Sequence, residues 1–301
     1  MRISQRLFLF HKVLRILIIT FEEKRNMRNY KFLFLALFIS TITFAQKSVL
    51  IRYKPKVGSV LMNNMDANMN ITIKAGDQNI ETKMKMGFEM SYHIKSRKKD
   101  INSVDMVFDK ITMEISNPMM TGSYNSDNKE ETDPFALKIA ESFKGVLDKP
   151  VPMKINTQGG FAEPMDVEKI FPQIPASKAN ELKEQMSNQF IQFPDNKVKV
   201  GETWTMSATM NQVGVLEYTY TLVGIEKERL QLSVNGKMLE SESEKVKMLT
   251  ANISGDVTLD RKTGETLKSN VAMDMDMKME VQGNTMDMNM KAEIVINATQ
   301  M

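Results

Sequence analysis

A mainly β (α+β) fold is predicted for this chain. It is a large curved antiparallel sheet or half-open barrel, with two amphipathic helices covering its apolar face. Three observations predict it. Side chains alternate across a strand, and two long runs near the end alternate apolar with polar. Val271, Met273, Met275, Met277, Met279 and Val281 share one face of the first run, and Met286, Met288, Met290, Ala292, Ile294 and Ile296 share one face of the second. Nearer the start, Met84, Met86, Phe88, Met90, Tyr92 and Ile94 repeat the pattern. Between these β-rich parts lie two segments with apolar residues at helical spacing. One-sided alternation fits an antiparallel sheet with one buried and one wet face, and about ten twisted strands tend to curl or close.

The leader comes before the fold. From Met27 the chain reads Met-Arg-Asn-Tyr-Lys, an apolar run from Phe32 to Ile39, and small residues at Thr43 and Ala45. That is the anatomy of a signal peptide over 27–45, with cleavage expected before Gln46. Its apolar run is too short for a membrane span. Residues 1–26 carry a second apolar stretch broken by His11, Lys12 and Arg15. They read as an upstream extension from a start codon placed too early, with a genuine extra anchor as the alternative. The expected domain is 46–301.

Of the 40 Lys and Arg and 37 Asp and Glu, eight and two fall within 1–45, which leaves 32 against 35, a formal −3. The charges after Gln46 are mixed, with no basic stripe for a phosphate backbone, so nucleic acid is not an expected partner. Cys is absent. That excludes a lipid-modified N-terminal cysteine, thiolate metal sites and thiol catalysis. The expectation is a soluble protein of the periplasm or exterior of a Gram-negative-type cell.

In order, Lys47 to Pro55 reads as a first strand. Gly58 opens a run with Leu61, Met65, Met69, Ile71 and Ile73 on one face. A turn at Gly76-Asp77 places Met69 opposite Met84 and Met65 opposite Phe88. From Ile101 to Ser116 the apolar phase slips between Phe108 and Ile111, which predicts a β-bulge near Asp109-Lys110. The polar stretch 117–132 is a loop or an edge strand. Asp133 caps a first helix, Pro134 suits its first position, and Phe135, Ile139, Phe143, Val146 and Leu147 make its stripe. Val151 to Asn156 is a short strand, and Asp166 to Phe171 a helical turn. A second helix starts at Ser177 and carries Leu182, Met186 and Phe190. Strands follow over 198–211, 214–225, 229–239 and 246–260. A two-residue turn at Gly283-Asn284 then closes the terminal hairpin, setting Met279 opposite Met288, Met277 opposite Met290 and Met273 opposite Ile294.

The chain reads as two weakly related halves, 46–160 and 197–299, joined by the helical segment. Gly58-Ser-Val-Leu-Met echoes Gly201-Glu-Thr-Trp-Thr-Met, Tyr92-His-Ile-Lys echoes Tyr218-Thr-Tyr-Thr-Leu, and Met153-Lys-Ile-Asn-Thr-Gln-Gly echoes Val257-Thr-Leu-Asp-Arg-Lys-Thr-Gly. A membrane barrel is the competing architecture. Aromatic residues make up only 7% of the chain, too few for interfacial girdles. Lys199-Val-Gly201-Glu-Thr-Trp204, Tyr218-Thr-Tyr220-Thr-Leu and Asp260-Arg-Lys-Thr-Gly264 together resemble an uncharacterised family of exported bacterial β-rich proteins, a domain of unknown function. The resemblance implies export and a sheet-rich fold, and no activity. In overall plan the chain also resembles the lipoprotein-carrier type of unclosed barrel, an analogy of fold alone.

Methionine is unbranched and polarisable, so the Met faces have three readings. They are a core in which Met replaces Leu or Val, a wall that accepts lipid, or a soft Cu(I) site in which Met-x-Met aims sulfurs one way. The candidate ligand-lining residues are Met84, Met86, Phe88, Met90, Met273, Met275, Met277, Met279, Met286, Met288 and Met290. His93, alone after the leader, reads as a solvated strand residue, and no Ser or Cys pattern partners it. Asp274, Asp276, Asp287 and Glu293 read as a solvated outer face rather than a calcium loop. Trp204 is a packing anchor. The expected function is non-enzymatic, with no cofactor and no metal: binding of a lipid or other apolar small molecule in a Met-lined cavity. The alternative is a structural or interaction protein with a filled core.

Overall fold

The alternating runs form strands, and those strands join into one extended sheet. The computed structural model describes residues 47–301 except 77, 131, 166, 168–189, 211–213, 241–245 and 282–283. Its elements are β1 (Ser48–Val49), β2 (Val60–Ala75), β3 (Gln78–Lys98), β4 (Ile101–Asn117), β5 (Met120–Asn125), α1 (Pro134–Phe143), β6 (Val151–Asn156), β7 (Val198–Lys199), β8 (Thr203–Met210), β9 (Gly214–Ile225), β10 (Arg229–Glu240), β11 (Val246–Asp260), β12 (Thr266–Val281) and β13 (Asn284–Gln300). The sheet runs β5-β4-β3-β2-β13-β12-β11-β10-β9-β8, with β6 also on β4, and β1 pairs with β7 apart from it. Neighbouring strands of the sheet are antiparallel. The end strands β5 and β8 do not meet, so the sheet is not closed into a barrel.

Turn chemistry set the first hairpin as expected: Met69 faces Met84 and Met65 faces Phe88. The expected bulge is also present. Glu89 pairs with Lys110 and Met90 with Phe108, which leaves Asp109 as the extra residue and restores the apolar phase. The terminal hairpin differs in register. Met279 faces Met286, Met277 faces Met288 and Met273 faces Ala292, with Val281 paired to Asn284. Asn284 therefore belongs to the strand. A slip of two residues keeps every side chain on its face, so the alternation alone could not distinguish the two registers.

Lys47–Pro55 is a strand only at β1. Ile51 and Tyr53 are still buried, but the backbone bonds of this segment go to turns. Tyr53 N donates to the Thr157 carbonyl (2.7 Å) and Lys54 N to the Thr263 carbonyl (2.6 Å). The stretch after β4 supplies the edge strand β5.

Among the described residues there is one helix of appreciable length, not two. The Ala136 N–H donates to Asp133 Oδ1 at 2.9 Å, the expected N-cap, with Pro134 at the first position. The helix ends at Phe143, before Pro150. It packs on the edge of the sheet, where Ile111, Tyr124 and Ala136 are buried together and Ile139, Phe143 and Met113 pack against them. It does not lie over the Met ladder. The helix expected from Ser177 and most of the turn at 166–171 lie outside the described residues.

Most of the core sits at the other end of the long strands. Leu61, Met90, Tyr92 and Ile94 join Val151, Met153 and Ile155 of β6, Leu222, Leu230, Leu232 and Leu259 from the far strands, and Ile51, Tyr53 and Phe193 from the irregular segments.

Two sets of backbone bonds repeat. Gly58 N donates to the Ile94 carbonyl (2.8 Å) and Ile94 N to Ser59 (3.0 Å); Gly201 N donates to Leu222 (2.8 Å) and Leu222 N to Glu202 (3.1 Å). Asn156 N donates to the Gly160 carbonyl across one turn, and Asp260 N to the Glu265 carbonyl across another, both at 2.8 Å. The bonds around Gly58 and Gly201 are thus alike, and so are the turns at 156–160 and 260–265. Each leading segment reaches the turn of the other part, and Tyr53 N also bonds to Thr157 in the 156–160 turn. Lys54 bonds to the 260–265 turn, while Phe193 N donates to the Gln158 carbonyl in the 156–160 turn (2.7 Å).

Candidate functional site

The two corresponding turns meet the exchanged segments, and a cavity lies there. Each turn is fixed by a side-chain oxygen. Asn156 Oδ1 accepts from the N–H of Gln158 (2.9 Å) and Gly160 (3.1 Å), and Asp260 Oδ1 accepts from Lys262 and Thr263 (both 2.8 Å). Each then needs a glycine in the left-handed region, Gly159 at φ +90° and Gly264 at φ +68°. A Cβ on Gly159 would strike the Ile191 carbonyl oxygen, and one on Gly264 would strike that of Arg52. The exchanged segments therefore press directly on both turns.

The cavity measures about 250 Å³. β2 lines it with Leu61, Asn63 and Met65, β3 with Met90 and Tyr92, and β13 with Ile294 and Ile296. Tyr53, Gly159, Phe190, Ile191, Phe193, Gly264, Glu265 and Thr266 complete the wall. Phe190 is its aromatic hub, meeting Tyr53, Tyr92 and Phe161 edge-on at ring-centre distances of 6.5, 6.3 and 5.5 Å. Trp204 anchors this cover: it stacks on Tyr220 at 5.6 Å, and its Nε1–H donates to the Gln192 carbonyl at 2.9 Å.

The wall is apolar except for a small polar group. Glu265 is 2% exposed, and its Oε1 has no hydrogen-bond partner among the described residues; the same holds for Asn63 Oδ1. The Tyr92 hydroxyl donates to Met90 Sδ at 3.9 Å. Burial pushes Tyr92 up to about 12, opposed by a hydrogen bond from the Asn63 side chain. Tyr53 is driven far above the ordinary phenol range, first by burial and then by the charge of Glu265. Glu265 itself is raised by burial and by the neighbouring Asp260, against a hydrogen bond from Thr263. A carboxyl beside two neutral phenols in a mostly apolar wall is costly to ionise without a counter-charge.

Of the expected lining residues, Met90 alone lines this cavity. Met275 and Met277 are buried in a separate cluster with Leu216, Ala251 and Ile253, and Met273, Met288 and Met290 pack against it. Met84, Met86, Phe88, Met279 and Met286 are half-buried on the same sheet face. Cross-strand Met pairs do form, Met275 with Met290, Met277 with Met288 and Met279 with Met286. The residues that sequence reasoning missed are Glu265, Asn63, Tyr53 and Phe190. A non-turn signal existed only for Tyr53, which alternates with Ile51.

His93 is half-buried rather than solvated, and Ser91 links it to Asp109, the extra residue of the bulge. The Ser91 hydroxyl lies 3.2 Å from His93 Nε2 and donates to Asp109 Oδ1 at 3.1 Å. A nucleophilic triad needs the imidazole between the hydroxyl and the carboxylate. Here the hydroxyl is in the middle, and Ser91 is 4% exposed. The other outer face is a polar ladder. Asn289 Nδ2 donates to Asp274 and Asp276, and Thr250 to Asp276, which holds the Asp276 carboxyl below its usual range. Among the described residues no group of three or more His, Cys, Asp or Glu side chains is placed to hold a metal. No described helix is long and apolar enough to cross a membrane.

Residues 175–265 match a family model described as Family of unknown function (DUF6263). The match takes in Val200-Gly201-Glu202-Thr203-Trp204, both tyrosines of β9 and the whole 260–265 turn, the strings that carried the family resemblance. No curated protein matches the chain. Among solved structures, a lipovitellin structure concerned with lipid–protein interactions is similar at 8% identity and a TM-score of 0.45, covering 82% of this chain and 26% of that one. The chain thus spans about a quarter of the lipovitellin chain's length. An outer-membrane channel from Pseudomonas putida F1 aligns at 7% identity and TM-score 0.23 (82% of this chain, 98% of that one). OpdQ from Pseudomonas aeruginosa aligns at 8% and 0.22 (80% and 99%).

Proposed function

We propose that this is an exported, non-enzymatic protein that binds a small apolar ligand in the cavity around Phe190. One observation carries the reading: the cavity interrupts the main core at the point where the exchanged segments cross the sheet, and it is walled by Leu61, Met65, Met90, Phe190, Ile191, Phe193, Ile294 and Ile296. Natural ligand sites are mostly apolar concavities with a few placed polar groups. At about 250 Å³ the space suits a single chain or a small ring system rather than a whole two-chain lipid. Tyr92, Met90 and Tyr53 are nearly solvent-free members of its wall.

The test is protein purified from its own cell envelope, examined by native mass spectrometry and organic extraction beside a Met90→Phe variant that fills the space. A co-purified apolar molecule that the variant lacks is the expected result. Protein without any such molecule, and without uptake of added alkyl probes, would overturn the reading. A filled-core structural role is the second reading, favoured by the burial of Met275 and Met277 among carbon neighbours. It assigns the ladder to packing and is compatible with a ligand site elsewhere on the sheet.

A further inference from the structure

We infer that the cavity takes a ligand whose head is a primary ammonium, held by Glu265 and Asn63, on an alkyl or aryl tail. The inference rests on the reading of the cavity as a ligand site and deepens it. Two buried acceptor atoms on residues that line one apolar cavity lack donors among the described residues, Glu265 Oε1 and Asn63 Oδ1. Buried acceptors are satisfied in nearly all native structures, and an orphan calls for a missing partner. Two orphans in one cavity call for a head with more than one N–H or O–H.

The turn does not require the carboxyl. In the corresponding turn the same backbone bond to Asn156 N is made by Gly160, which carries no side chain. A glutamate in the equivalent place, 2% exposed, is therefore not explained by folding. Thr263 offsets part of its desolvation cost, and a positive or strongly donating head would offset the rest. Among the described residues, the two arginines nearest the site are committed elsewhere. Arg52 donates to the carbonyls of Ile51, Pro194 and Asp195, and Arg97 to Asn102 Oδ1 and the Pro55 carbonyl. The other charged or titratable groups facing Glu265 are Asp260, Tyr53 and, across the cavity, Tyr92, none of which supplies positive charge near neutral pH. An anionic head is disfavoured by the same set. A hydroxyl head satisfies hydrogen bonds but leaves the charge unmatched; an ammonium does both. The tail then lies against Leu61, Met65, Met90, Phe193 and Ile294.

The experiment is calorimetric titration of the full chain with n-octylamine, n-octanol and octanoate, repeated on Glu265→Gln and Asn63→Leu. Octylamine should bind roughly tenfold to a hundredfold more tightly than octanol, the range for a hydrogen bond to a charged group. Octanoate should bind weakest. Glu265→Gln should erase the amine's advantage while leaving octanol binding in place, and Asn63→Leu should reduce it. Equal binding of amine and alcohol by the natural chain would overturn the head-group assignment and leave the apolar site standing. Binding of neither would overturn both. If Glu265→Gln does not fold, a pH series on the natural chain decides the matter. The amine's advantage should fade as pH drops and Glu265 gains its proton, and an advantage that persists unchanged would overturn the inference.

Discussion

Truncating two methionines of one ladder separates packing from mere alternation. Met275 is 2% exposed and lies in a cluster with Leu216, Ala251, Ile253 and Met277. Its neighbours across the sheet are Met290 on one side and Ala251 on the other. Burying a whole methionine side chain is worth about 1.5–3 kcal/mol. Met275→Ala also leaves a void that a sheet interior refills poorly, so the expected loss is about 2–5 kcal/mol. Met286 sits on the same strand face but is half-buried and outside that cluster. Met286→Ala forfeits about half of the transfer term and creates no closed void, so about 1 kcal/mol or less is expected. At roughly 2–4 °C per kcal/mol for a unit of this size, Met275→Ala should lower Tm by on the order of 10 °C and Met286→Ala by a few degrees. Urea unfolding followed by the fluorescence of Trp204, with thermal scans alongside, measures both. Similar losses for the two variants would refute the claim that packing falls off along this sheet face between Met275 and Met286. A small loss at Met275 would mean that the cluster around it is not packed.

Gly264→Ala should destabilise by about 2 kcal/mol or more, since it combines a left-handed backbone with an overlap on the Arg52 carbonyl; an unchanged denaturation midpoint would contradict the exchanged-segment contact. Asp133→Ala should cost about 1 kcal/mol through loss of the cap on α1, and Asp133→Asn should restore most of it in the same unfolding assay. Glu265 has a folded-state value raised above its ordinary 4.5, so the folded state binds its proton more tightly than the unfolded state does. Its contribution to stability is therefore neutral below 4.5 and becomes unfavourable as pH rises through the raised value. Glu265→Gln should accordingly gain on the natural chain from pH 4.5 upward to neutrality, and parallel stability–pH curves would show that the carboxyl is not buried in the folded protein.

Much of the sheet was legible because period two survives any tertiary context. Alternation placed β2, β3, β9, β11, β12 and β13, and the phase slip after Phe108 located a bulge at Asp109 that no local propensity marks. Height along a strand was not legible. Met84 and Met90 look alike in the sequence, yet Met90 lines the cavity and Met84 does not, because what covers each position comes from segments 50–57 and 190–193 far away in the chain. The short alternation of Ile51 and Tyr53 marks no sheet strand, and 190–193 has no period, since backbone bonds of both segments go to turns. Glu265 was unreadable for a related reason. A charged residue after Thr263-Gly264 has the composition of a solvent-facing turn, and only the approach of Arg52 and Tyr53 buries it.

The position of β13 has a consequence for how the molecule is made. β13 is inserted between β2 and β12, so that Leu61 pairs with Gln300 and Met69 with Ala292. Until β13 arrives, β2 is an edge strand with unpaired backbone groups and Met69, Ile71 and Ile73 on one side, the features that invite pairing with another chain. Contacts between residues so distant in sequence form late and slowly. The N-terminal strands must therefore wait, with a sticky edge exposed, for the C-terminal hairpin. Export of an unfinished chain would carry that edge through the most aggregation-prone stage of its life. The alternating Asn and Asp residues of β2 (Asn64, Asp66, Asn68 and Asn70) keep its other face soluble during the wait.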